Sequence, residues 1–262
     1  MSYAKVNGIE LHYEDRGAGR PVVFLHGWGT TGRVWDAQVA GLARDHRVIT
    51  VDWRGCGRSD HPATGNTLAG NVADVLALTD LLSLGHPVLV GSSIGATFAL
   101  EAALAAPDRI GGVVSVDGPG HWPGQGMAAQ LDALLGGLAA DRAGSVAGWV
   151  PNWFGSATSR ATVDRTVRQI LDSGVFIDAL FPEALDYDPR PRLPRLRVPA
   201  VFLHGRLDTE IPAEVSETLA GLTPQGWFEV VEGAAHMPHQ ERPAVFNTAL
   251  RAALDRMAPV PA

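Results

Sequence analysis

The chain has 262 residues, of which 46% are hydrophobic and 19% charged, a balance that suits a folded enzyme and excludes a disordered chain. Its formal charge of −7 leaves no basic footprint for DNA, RNA or an anionic membrane. Length alone admits one large α/β domain or two small ones.

Lys5 is the only lysine and Cys56 the only cysteine. An internal disulfide and a cysteine-based metal site are thereby excluded, no mid-chain lysine is available for Schiff-base chemistry, and Cys56 reads as a small buried thiol. The first segment, MSYAKVNGIELHYEDRG, alternates apolar and polar residues and lacks the layout of a signal peptide, and no apolar run is long enough to span a membrane. The expectation is a cytoplasmic protein that needs no cofactor or metal, has no nucleic-acid or membrane partner, and has an undetermined oligomeric state.

Short apolar runs follow in order: Val22 to Gly27, Val48 to Asp52, Pro87 to Gly91, Gly112 to Gly118, Ala200 to Gly205 and Phe228 to Gly233. Their β-branched residues predict strands buried on both faces, as in a parallel sheet, with IELHYED and its neighbour forming an antiparallel edge. Helical patterns lie between them at Val34 to Arg44, Leu68 to Leu84, Gly95 to Ala106 and Val245 to Met257. This alternation predicts a doubly wound α/β fold.

From Pro119 to about Arg197 the strands vanish and aromatics accumulate, among them Trp122, Trp149 and Trp153. The stretch is too long for a loop, so residues 119–197 are expected to form a helical cap inserted between core segments 1–118 and 198–262. The proline-rich DYDPRPRLPRLRVP would lead back into the core.

Gly91-Ser92-Ser93-Ile94-Gly95 matches G-x-S-x-G between a predicted strand and a predicted helix. A nucleophile in so sharp a turn brings the residues two before and two after it together, so both must be small. Glycines flank Ser93 in this way, whereas Val90 and Ile94 flank Ser92, which selects Ser93 as the nucleophile. A serine needs a base, itself oriented by a carboxylate. His236, in the loop after the last strand, is the candidate base; His239 reads as solvent-facing or capping, and His26 and His204 as structural. Asp208, after the strand Ala200 to His204, is the preferred acid, with Asp117 a rival at the end of the preceding strand. Asp52 reads as a loop anchor. The backbone N–H groups of Ile94 and Trp28 are the expected oxyanion donors. The Trp28 indole either lines the pocket or packs the core.

Together HGW (26–28), D-x-R-G-x-G-x-S (52–59), G-x-S-x-G (91–95), PDRI (107–110), HGRLD (204–208) and GAAHMPHQERPAVF resemble the α/β-hydrolase fold superfamily along nearly the whole chain. The resemblance implies that Ser93, Asp208 and His236 occupy the triad positions and Trp28 and Ile94 the oxyanion positions. Ser93 stands where haloalkane dehalogenases and epoxide hydrolases carry aspartate, and Lys5 is no substitute for the lysine of plant hydroxynitrile lyases. The branch implied is that of esterases, enol-lactonases and cofactor-free perhydrolases, although Ile94 and Ala96 depart from its usual G-x-S-M-G-G. The expected activity is hydrolysis of an apolar or aromatic ester or lactone through an acyl-enzyme, with Trp28, Trp122 and Trp153 contacting the substrate. The alternatives are a perhydrolase and a cofactor-free dioxygenase, whose acid would stand at Asp117. A non-catalytic binding protein on the same scaffold is a third reading.

Overall fold

The structure, a computed structural model, describes residues 2–119 and 127–257. Its strands are β1 (Ser2–Val6), β2 (Ile9–Arg16), β3 (Arg20–Leu25), β4 (His46–Val51), β5 (Val88–Ser92), β6 (Gly112–Val116), β7 (Ala200–Gly205) and β8 (Gly226–Val231). They form one eight-stranded sheet in the order β1-β2-β4-β3-β5-β6-β7-β8. β1 and β2 run antiparallel, with β2 antiparallel to β4, while the pairs from β4 through β8 are parallel. The fold is therefore the expected α/β-hydrolase architecture, a mostly parallel sheet with an antiparallel edge.

Every residue of β5, β6 and β7 is buried, because neighbours cover both faces of these central strands. β8 departs from expectation. It ends the sheet, and five of its six residues are only partly covered.

The helices of the sheet region are α1 (Asp36–Leu42), α2 (Leu68–Leu81) and α3 (Ile94–Ala105). The helix expected from Val34 opens instead as a single 3-10 turn, Gly32–Trp35, capped by Thr31. α2 starts where the Thr67 hydroxyl accepts the Gly70 N–H at 2.9 Å, and it stops before Ser83, whose φ of +50° cannot continue a helix.

Between β6 and β7 the described residues form α4 (Met127–Ala140), α5 (Arg142–Trp149), α6 (Arg160–Leu171) and α7 (Leu180–Asp186), with no strand. Asp141 and Ser159 cap α5 and α6 by accepting the N–H of Gly144 and Thr162. The chain then supplies α8 (Ala213–Leu222), which the sequence reading omitted, and α9 (Pro238–Glu241) and α10 (Pro243–Arg256). Among the described residues, no helix is long and apolar enough to cross a membrane.

Candidate active site

The parallel strands end at one edge of the sheet, and their loops carry the candidate residues. Ser93 lies between β5 and α3 with φ +54° and ψ −122°, a left-handed conformation that a serine adopts only under constraint. Its N–H donates to the Val116 carbonyl at 2.9 Å, which fixes the turn to β6. A Cβ on Gly91 would overlap the Gly95 carbonyl, and one on Gly95 would lie 2.6 Å from the His26 carbonyl oxygen. Glycine is thus required on both sides of the turn. Gly27 packs directly under Ser93: a Cβ there would come within 3.5 Å of the serine's own.

His236 sits in the loop between β8 and α9, and its Nδ1 is 2.8 Å from Asp208 Oδ2. A carboxylate oxygen only accepts, so Nδ1 carries the proton and Nε2 is left as the basic nitrogen. Burial by itself lowers the basicity of His236, but the Asp208 carboxylate outweighs it and the imidazole pKa rises above 6.5. Asp208 Oδ1 accepts the N–H of Glu210 at 2.8 Å and of Ile211 at 3.2 Å, locking the acid's loop. Burial opposes ionisation of Asp208, yet His236 and His204 hold its carboxyl well below the usual carboxylate range.

Asp117, the rival acid, lies beside Asp208, but the hydrogen bond from His236 Nδ1 goes to Asp208. Asp117 Oδ1 accepts the Gly205 N–H at 2.7 Å, and burial, followed by the neighbouring Asp208 charge, pushes its carboxyl well above the usual range. Both causes disfavour the ionised form of Asp117 and leave Asp208 the more readily ionised of the two.

His204 is more than the structural residue expected from its strand. Its Nε2 faces two acceptors, the Ile211 carbonyl at 2.9 Å and Asp208 Oδ2 at 3.2 Å, so it carries a proton and supports the acid. His26 is purely structural. Its ring stacks on Trp53 at 5.1 Å, its Nε2 accepts the Trp53 N–H at 3.3 Å, and burial lowers its pKa to about 4.

His239 corrects the sequence reading. It is fully buried, stacked 4.1 Å from Trp35, and neither ring nitrogen has a partner among the described residues. Its pKa falls to about 3 because burial excludes the cation. Asp52 anchors its loop as expected, accepting the N–H groups of Gly32 at 2.7 Å and Arg58 at 3.0 Å.

Ser93 and His236 open into the same cavity of about 510 Å³. Trp28, Ile94, Trp149, Trp153 and Phe181 line its walls. Trp28 lies 5.0 Å from Phe181 and 5.7 Å from Trp149, so its indole both lines the pocket and packs beneath the helical insertion. Trp153 meets Trp149 edge-on at 5.0 Å and His236 at 6.0 Å, and its carbonyl accepts the His236 N–H at 3.0 Å. Trp122 lies outside the described residues.

Two acidic residues of the site went unread in the sequence. Glu210 lines the cavity and accepts the Trp149 indole N–H at 2.9 Å; burial raises its pKa, opposed by His236 and that indole. Glu241 accepts the N–H of Ala235 at 2.9 Å and of Met237 at 3.0 Å with one oxygen, and of Gly155 at 2.7 Å with the other. Their only sequence signal was proximity, two residues after Asp208 and five after His236.

Asp117, Asp208 and His236 bring ligand-type atoms within 4.8 Å of one another. A cation there would compete with the hydrogen bond from His236 to Asp208.

A sequence profile of the alpha/beta hydrolase fold matches residues 20–243. A non-heme chloroperoxidase of Streptomyces lividans is 32% identical, over 94% of this chain and 96% of its own. A thermophilic esterase from Thermogutta terrifontis superposes with a TM-score of 0.90 at 26% identity, covering 99% of this chain and all of that one. An enol-lactonase from Burkholderia xenovorans LB400 gives 0.86 at 26% identity, covering 97% of this chain and all of that one. With the profile spanning most of its length and the sheet in this order, the chain belongs to the alpha/beta hydrolase fold family.

Proposed function

We propose that this family member hydrolyses carboxylic esters, lactones included, through an acyl-enzyme on Ser93. The observation that carries the reading is the 2.8 Å hydrogen bond from His236 Nδ1 to Asp208, which leaves Nε2 basic in the cavity that Ser93 enters. In this mechanism Ser93 Oγ attacks the carbonyl carbon while His236 Nε2 takes its proton, and Asp208 stabilises the imidazolium. The N–H groups of Ile94 and Trp28 hold the developing oxyanion. His236 then protonates the leaving alkoxide, and water, activated by the same nitrogen, releases the acid.

The apolar, tryptophan-lined walls suit an apolar or aromatic acyl or alcohol group, with the helical insertion serving as a cap over it. The esterase and enol-lactonase among the related structures support an ester or lactone as the substrate class. A dioxygenase with its acid at Asp117 is not favoured, because that carboxyl bonds Gly205.

Ser93→Ala is the test, assayed on p-nitrophenyl butyrate beside stoichiometric labelling of the unaltered protein by a fluorophosphonate. The expected result is loss of turnover to near the uncatalysed rate and of labelling in the variant. Retained turnover overturns the acyl-enzyme.

A further inference from the structure

The turn from Gly27 to Thr30 borders Ser93, and its own closing bonds are long: the Gly27 carbonyl accepts the Thr30 N–H at 3.3 Å and the Thr30 hydroxyl at 3.1 Å. Further support comes from the helical insertion. The Trp28 ring lies 5.0 Å from Phe181 of α7 and 5.7 Å from Trp149 of α5, and the guanidinium of Arg142, at the start of α5, stands 5.3 Å from its centroid. Gly29, at φ +66°, backs onto the end of α6, where an added Cβ would lie 3.1 Å from Ile170 Cγ2 and 3.3 Å from Ser173 Oγ.

Arg142 joins these contacts. Its Nη1–H donates to Asp178 Oδ2 at 2.7 Å and its Nη2–H to Ser173 Oγ at 3.4 Å, while the Ser173 hydroxyl itself donates to the Ile170 carbonyl at 2.6 Å. Burial raises the Asp178 pKa against the influence of Arg142, but an N–H donates to a carboxyl oxygen in either charge state, so the bond does not depend on ionisation. One largely buried guanidinium thus meets both the ring of Trp28 and the serine that abuts Gly29. We propose that Arg142 is a positioning residue for the oxyanion site: anchored on Asp178 and Ser173, it holds the turn so that the Trp28 N–H meets the charge developing on the substrate oxygen. The inference rests on the hydrolase reading of the same site and adds a residue to it. A donor slightly out of place binds the substrate as before but stabilises the transition state less, so its displacement is felt in kcat.

The test uses two probes of matched shape. Ser93 Oγ adds to the carbonyl carbon of phenethyl trifluoromethyl ketone, with the serine proton passing to His236 and the carbonyl oxygen becoming an alkoxide; phenethyl methyl ketone binds without adding. Arg142→Met should weaken the first about tenfold and the second by less than about twofold, and should lower kcat on p-nitrophenyl butyrate about tenfold with KM little changed. Arg142→Lys, which keeps a donor for Asp178 and a cation over the indole, should lie only about threefold below the intact protein. Because Arg142→Met strands Asp178, the paired variant Arg142→Met with Asp178→Leu removes both groups and should show the same selective loss in a folded protein. Equal weakening of the two ketones, no weakening of the first, or unfolding of both variants overturns the role of Arg142 and leaves the hydrolase reading intact. Failure of the intact protein to form the trifluoromethyl ketone adduct overturns the acyl-enzyme and this role with it, as does full turnover in Ser93→Ala.

Discussion

Glu241 holds His236 by its neighbours: one carboxylate oxygen accepts the N–H groups on either side of the histidine, those of Ala235 at 2.9 Å and Met237 at 3.0 Å. Glu241→Gln replaces that double acceptor by a group in which one end donates, so at least one of these bonds is lost or an N–H faces an N–H. The expected result is a kcat roughly tenfold lower, about 1.4 kcal/mol, with KM little changed. Because the Glu241 charge also raises the His236 pKa, the acid limb of the rate profile should move down. A change in KM alone would contradict this positioning role.

The proposed mechanism requires neutral His236, and the Asp208 carboxylate more than offsets the effect of burial on its pKa. Activity should therefore fall as pH drops through a value above 6.5, the ordinary histidine pKa. Asp208→Asn removes the charge and the preference for a proton on Nδ1, and kcat should drop by about 10³–10⁴. The linked stability has a definite sign. A raised histidine pKa stabilises the fold at low pH and is lost above the folded value; a depressed Asp208 stabilises it at neutral pH and is lost in acid. Urea unfolding of both proteins across this range should place the largest difference between the two pKa values.

Buried His239 acts in the opposite sense. Its folded pKa of about 3 means that the unfolded chain takes up a proton below 6.5 that the folded chain refuses. Stability is complete above 6.5 and declines by about 1.4 kcal/mol per pH unit below it, until the folded pKa is reached. His239→Phe, which keeps a ring against Trp35 and Phe246, should make unfolding less steeply pH-dependent by one proton. Parallel slopes for the two proteins would contradict this.

The elbow tolerates no side chain at Gly91, where a Cβ would meet the Gly95 backbone. Gly91→Ala should cost about 1–3 kcal/mol and most of the activity, because backbone must move to admit it. Gly136→Ala supplies the contrast. A Cβ there meets nothing within 4 Å on α4, so a neutral or slightly stabilising effect, up to about 1 kcal/mol, is expected. Melting temperatures measured side by side would separate a local clash from a general intolerance of substitution.

The sheet was legible because each strand pairs a β-branched run with an abrupt glycine or polar stop, a signal carried wholly within a few residues. β8 misled in one respect: FEVVEG reads as buried on both faces, but only the strand order places it at the edge. The glycine pattern singled out Ser93 because the strain of its turn is local. His239 was misread because its burial depends on Trp35, brought to it from a distant part of the chain, together with Phe246 on the following helix. Glu210 and Glu241 were passed over for the same reason. Their partners Trp149 and Gly155 lie in the helical insertion, and no spacing in the sequence announces those contacts.

His236 hangs from two supports: the Trp153 carbonyl receives its N–H, and Glu241 ties the peptides around it to Gly155. The wall of the cavity and the base within it are therefore one mechanical part. A change in the 153–155 segment, even one made far from Ser93, would therefore be felt at the imidazole as a change of position rather than of chemistry.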